Sequence, residues 1–159
     1  MKTIFDLGIE IEQKGLKFYI DSAKIAPDQN SINLLKYLAC EEKKHEEYFK
    51  KLKQETQNHQ MVDVKPEHEK FMFNKEAYKE IDKAATKMLK IFETAIQMEE
   101  NSIKIYTKAA ENEKDEKIKK ILLQIAEYEQ DHKRMIKEHS ESLYNYLYWE
   151  GIDPAPVES

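Results

Sequence analysis

The chain has 159 residues, enough for one domain with a hydrophobic core of its own. Its 36% charged residues, 3 Gly and 4 Pro are the make-up of long helices and exclude a sandwich or barrel that must turn at short intervals. Lys and Arg number 26 against 31 Asp and Glu, and the net charge of −5 is spread with both signs interspersed, which argues against a nucleic acid or other polyanion as partner.

The N-terminus sets Asp6 and Glu10 before any long apolar run, so no signal peptide is expected, and no stretch reaches the length of a membrane span. Periodicity predicts a first helix over about 3–25, with Phe5, Ile9, Leu16, Tyr19 and Ala23 recurring mostly at three- and four-residue steps. Pro27 ends it, and the run from Asp28 to Ser31 offers caps for the next. A second helix is predicted over about 31–54, its stripe carrying Leu35, Leu38, Phe49 and Leu52. A polar stretch over about 55–83, broken by Pro66, is either a crossover travelling the length of a bundle or the seat of a short helix. A third helix is expected over about 84–111 and a fourth over about 115–149, ending in Tyr144, Tyr146, Tyr148 and Trp149 before Gly151, Pro154 and Pro156. The fold class is therefore all-α: a four-helix bundle over 1–150 with one long crossover between helices 2 and 3, and a tail over 151–159.

A shift of 87 residues superimposes the two halves without a gap. Phe5 falls on Phe92, Ile9 on Ile96, Glu12 on Glu99, Leu16 on Ile103 and Tyr19 on Tyr106. In the second helix of each half, Leu35 falls on Leu122, Leu38 on Ile125, Ala39 on Ala126, Glu42 on Glu129, His45 on His132 and Phe49 on Ile136. One offset that aligns apolar, acidic, aromatic and histidine positions together marks a duplicated helical hairpin with pseudo-two-fold symmetry.

Helical spacing places Glu12 on the stripe of Phe5, Leu16 and Tyr19, and puts Glu42 and His45 on that of Leu35, Leu38 and Phe49. Glu99, Glu129 and His132 take the matching places in the second half, so six polar groups face the interior. A lone Glu-x-x-His pair in a Glu-rich helix is usually a solvated surface pair. Here, only His45 and His132 of the 5 histidines have a Glu three residues before them, and the same shift relates the two; His59, His68 and His139 read as exposed. Four carboxylates buried together without compensation would repel one another at several kcal/mol each. Two divalent ions would neutralise them, and oxygen and imidazole donors without thiolate suit iron or manganese and tolerate zinc. Such a pair of metals can bind O2 or peroxide between them. Glu41 maps to Tyr128, Glu100 to Gln13 and Glu10 to Gln97, so none of the three acids belongs to the matched set. Tyr19 and Tyr106 are the candidates for hydrogen-bond donors to ligand carboxylates. Cys40, about 200° around its helix from Glu42, takes no part.

Over residues 3–145 these motifs resemble the ferritin-like diiron carboxylate superfamily, and within it the rubrerythrin-type branch. Glu12 with Tyr19, and Glu99 with Tyr106, are similar to the family's Glu followed seven residues later by Tyr, and Glu42-Lys-Lys-His45 and Glu129-Gln-Asp-His132 to its Glu-x-x-His. The resemblance implies a non-haem diiron oxidoreductase that oxidises Fe(II) while reducing hydrogen peroxide or O2, a peroxidase or ferroxidase of oxidative-stress defence or iron homeostasis. Two of the four carboxylates would then bridge the two metals, with Glu12 and Glu99 the candidates for terminal or mobile ligands. The competing reading is a metal storage, delivery or sensor protein whose centre does not turn over. Rubrerythrins carry a rubredoxin domain with four cysteines, and a sequence with 1 Cys needs a separate electron-donor protein, such as a rubredoxin-like carrier. Where rubrerythrins have a further Glu, this chain has Ser102, with Gly15 as its mate, which makes the ligand set more like the symmetric one of bacterioferritin-type sites. The single cysteine fits a reducing, cytoplasmic setting, and the long crossover and aromatic terminus lead to the expectation of a homodimer, with domain swapping permitted.

Overall fold

The computed structural model describes residues 2–56, 61–62 and 84–149. A short strand β1 (Lys2–Thr3) leads into α1 (Ile4–Ile25) and α2 (Gln29–Glu55); β2 (Met61–Val62) follows, then α3 (Ala84–Asn112) and α4 (Glu116–Trp149). The helix bounds fall within two residues of those the periodicity predicts. Among the described residues, the one element absent from that reading is the antiparallel pairing of β1 with β2, Lys2 opposite Val62 and Thr3 opposite Met61. Four residues are too few to show an alternating pattern. None of the described helices is long and apolar enough to cross a membrane. His59, His68 and most of the expected crossover lie outside the described residues, as does the tail over 151–159.

Local chemistry sets the helix starts. Thr3 Oγ1 accepts from the Asp6 amide at 3.1 Å, and Asp6 Oδ2 accepts from the Thr3 amide at 3.2 Å, a reciprocal box that satisfies two otherwise orphaned donors. Asp28 caps α2 by accepting from the Ser31 amide at 2.9 Å. Its mate Asp115 caps α4, accepting from Lys117 and Ile118. Pro27 keeps Ala26 extended, at φ −65° and ψ 134°, and α1 stops there.

α1 packs along α2 and α3 along α4, and the hairpins meet through α1 with α3 and α2 with α4. The core divides into two apolar clusters. One joins Ile4, Phe5 and Leu7 of α1 to Phe49 and Leu52 of α2, Tyr106 and Ala110 of α3, and Ile118 and Leu122 of α4. The other joins Phe18 and Tyr19, Leu35 and Leu38, Met88 and Phe92, and Ile136. The start of α1 and the end of α2 share the first cluster with the end of α3 and the start of α4. α2 thus ends at one end of the bundle and α3 begins at the other. The 87-residue shift exchanges the clusters: Phe5 and Phe92, Tyr19 and Tyr106, and Leu35 and Leu122 swap places. The duplication read from the sequence is therefore a pseudo-two-fold axis across the middle of the bundle, where both clusters stop.

Candidate metal centre

In the gap between the clusters each helix turns polar. Glu12 comes from α1, Glu42 and His45 from α2, Glu99 from α3, and Glu129 and His132 from α4; all six side chains are buried. Their ligand atoms form two overlapping groups, each drawn together within 4.8 Å: Glu12, Glu42, His45 and Glu129 in one, Glu42, Glu99, Glu129 and His132 in the other. Glu42 and Glu129 are common to both. The helical stripes thus bring together all six residues that the sequence pattern singled out.

The histidines turn Nδ1 inward, their rings near-parallel at 17° with centroids 5.7 Å apart. His45 Nδ1 lies 3.2 Å from Glu12 Oε2 and 3.1 Å from Glu129 Oε1. His132 Nδ1 stands farther off, 3.4 Å from Glu129 Oε2, 3.5 Å from Glu42 Oε1 and 3.9 Å from Glu99 Oε1. Around this set the two tyrosines act as symmetric props. Tyr19 donates its hydroxyl hydrogen bond to Glu99 Oε1, and Tyr106 donates to Glu12 Oε1. Each prop comes from the opposite hairpin, so the hydrogen bonds also tie the two halves together.

Electrostatics show how uneasy the cluster is without a cation. Burial, and then the charge of Glu129, push the Glu42 and Glu99 carboxyls well above the ordinary carboxylate range. Burial works the same way on Glu129, but the neighbouring imidazoles of His132 and His45 outweigh it and hold this carboxyl below its usual range. Burial pulls His45 down, yet the neighbouring carboxylates of Glu12 and Glu129 win and push it up to about 10. The tyrosine hydroxyls are forced upward by burial and the surrounding carboxylates, so both stay protonated donors.

Two buried atoms of the set, Glu129 Oε1 and His132 Nδ1, have no hydrogen-bond partner among the described residues. Each such orphan costs about 1–3 kcal/mol. A cation coordinated by the carboxylates and imidazoles would satisfy both orphans and offset the carboxylate charge, and an oxygen and imidazole donor set suits first-row divalent ions. The residues present therefore fit a pair of metal ions.

The surroundings break the symmetry. Tyr128, about half exposed at 45%, stacks its ring on His45 with centroids 5.6 Å apart at 19°. Its mate Glu41 points instead to Lys44 at 2.6 Å, in agreement with its omission from the ligand set. At Gly15 a Cβ would come 3.2 Å from the Glu42 carboxyl, so the missing side chain lets that carboxylate lie close against α1, whereas the mate Ser102 donates its hydroxyl to Met98 O at 3.1 Å. The sequence pattern did not point to Glu46, beside His45 and buried. It accepts from Lys50, Lys43 and Gln13, and Lys50 foremost holds its carboxyl down near 2. The available signal was a swap: its mate is Lys133, which pairs with Glu100, the mate of Gln13. Cys40 is exposed, as its helical angle predicts.

His139 corrects the sequence reading. Expected to be exposed, it is part-buried, with Nε2 3.0 Å from Ser31 Oγ and its ring edge-on to Phe92 at 5.2 Å. Its position is that of Leu52 in the other half, and a histidine in a core slot was legible from the shift alone.

A family model described as rubrerythrin matches residues 4–140. Neither a curated protein nor a solved structure gives a significant match.

Proposed function

Because the chain belongs to the rubrerythrin family, we propose that it is a non-haem dinuclear iron oxidoreductase that reduces hydrogen peroxide or O2. The observation that carries this reading is the pair of overlapping groups sharing Glu42 and Glu129, which gives each of two ions a carboxylate and a histidine of its own and two carboxylates in common. Glu12, Glu42, His45, Glu99, Glu129 and His132 would hold the pair, with Glu42 and Glu129 common to both groups. Iron bound there supplies two electrons, one from each Fe(II), so that hydrogen peroxide and two protons become two waters.

The chain's own residues do the rest. Tyr19 and Tyr106 fix the orientation of Glu99 and Glu12 by hydrogen bonds from hydroxyls that burial and the surrounding carboxylates keep protonated. The two apolar clusters above and below keep bulk water away from the carboxylates and strengthen every charge interaction among them. With one cysteine in its sequence the chain holds no four-thiolate iron site, and we assign electron delivery to a separate one-electron donor protein.

Anaerobic protein loaded with Fe(II) should be oxidised rapidly by hydrogen peroxide, or by O2, in stopped-flow mixing, and again after each re-reduction. The faster oxidant separates peroxidase from ferroxidase. Stable loading with no oxidation by either would replace this reading with storage or sensing.

A further inference from the structure

The two halves of the centre offer the same ligand types but are not in the same state. Among the described residues His132 Nδ1 has no hydrogen-bond partner, and three carboxylates stand 3.4–3.9 Å around it. His45 Nδ1 is already engaged with Glu12 Oε2 at 3.2 Å, and Tyr106 holds the other oxygen of that same carboxylate. Each half holds one buried orphan, His132 Nδ1 in one and Glu129 Oε1, 3.1 Å from His45 Nδ1, in the other. The difference is that an ion arriving at the His132 half meets a nitrogen with no hydrogen bond to displace, whereas an ion arriving at the His45 half must first break a hydrogen bond between two of its own ligands. The outer surroundings differ in the same sense. The ring against His45 is the half-exposed Tyr128, which can swing into water, and the corresponding position beside His132 holds Glu41, drawn off to Lys44.

Resting on the dinuclear reading above, we infer that the two metal positions load in order: the first divalent ion enters the Glu99–His132 half and is retained, and the second occupies the Glu12–His45 half and exchanges past Tyr128. Breaking a hydrogen bond to a charged group separates the two affinities by about ten- to a hundredfold. The retained ion keeps the bridging carboxylates Glu42 and Glu129 assembled while the outer one comes and goes.

Metal binding tests this without any turnover. Zn(II) is added in sub-stoichiometric steps to the metal-free wild-type protein while the histidine ring resonances are followed by NMR, and Co(II) titrations of the wild type, His45→Ala and His132→Ala are followed by d–d absorption. Circular dichroism shows that the variants remain helical; if one does not, the wild-type NMR titration decides alone. The expected result is that His132 resonances shift over the first equivalent and those of His45 over the second, with His45→Ala keeping the tight Co(II) step and His132→Ala losing it. Both histidines shifting together, or His45 first, would overturn the order while leaving the dinuclear centre intact. Fewer than two ions bound by the wild type would overturn the dinuclear reading itself, and the order with it.

Discussion

Tyr19 and Tyr106 each commit a buried hydroxyl to a carboxylate on the opposite hairpin, Glu99 and Glu12. Replacing either by Phe removes the donor and leaves the packing, so metal affinity should fall by about 10- to 100-fold, measured by competition with a chelator of known affinity. His139 makes a prediction of another kind. Burial pulls its pKa below 6.5, against the pull of Asp28, so the unfolded chain takes up a proton more readily than the folded one. Stability is therefore full above pH 6.5 and declines as pH falls through that value toward the lower folded pKa. In the other half the same two slots hold Leu52 and Ile118, packed in one apolar cluster. The double variant Ser31→Ile with His139→Leu should flatten the decline in denaturation midpoint between pH 7 and pH 5, and an unchanged pH profile would show that His139 does not cause it.

At the scale of the helices, the duplicated hairpin stores its volume differently in each half. A Cβ at Gly8 would lie 2.7 Å from the ring of Phe49, which is fully buried and has nowhere to go. The mates of these two are Ala95 and Ile136, a larger residue facing a smaller one. Gly8→Ala gains about 1 kcal/mol of helix propensity but overpacks the site by about 1–3 kcal/mol, so the net effect is loss of stability. Adding Phe49→Ile reproduces the pair found in the other half and should restore most of it, visible as a favourable coupling energy in a double-mutant cycle of denaturation midpoints. This is also where sequence reading reached its limit. Stripe and shift place Gly8 and Phe49 on facing interior positions, but only coordinates show that their sizes are matched to each other. The β1–β2 pairing was invisible for a different reason, since two residues a side carry no periodicity.

For the whole molecule, the four helices, their order and the six interior polar residues were legible because one shift repeats period, charge and histidine spacing together; chance rarely satisfies all three. What the shift could not show is where symmetry fails. The bare Nδ1 of His132, the engaged Nδ1 of His45 and the ring of Tyr128 on one side only depend on distances of a few tenths of an ångström or on a side chain's turn about its helix. Metal should also matter to the fold as a whole, because the centre sits where all four helices would otherwise meet through a cluster of four buried carboxylates. Binding to the folded state alone stabilises it by mass action, so chelation should lower the thermal midpoint and re-addition of Fe(II), Mn(II) or Zn(II) should raise it. A midpoint indifferent to metal would mean that the carboxylate cluster is satisfied in some other way.

Counting ions tests the shared carboxylates directly. Wild-type protein, Glu42→Ala and Glu129→Ala are loaded anaerobically with Fe(II), desalted and analysed for iron per chain. The shared position of both carboxylates predicts two irons in the wild type and loss of the two-iron state in each variant. Two irons retained in both variants, or none in the wild type, would contradict it.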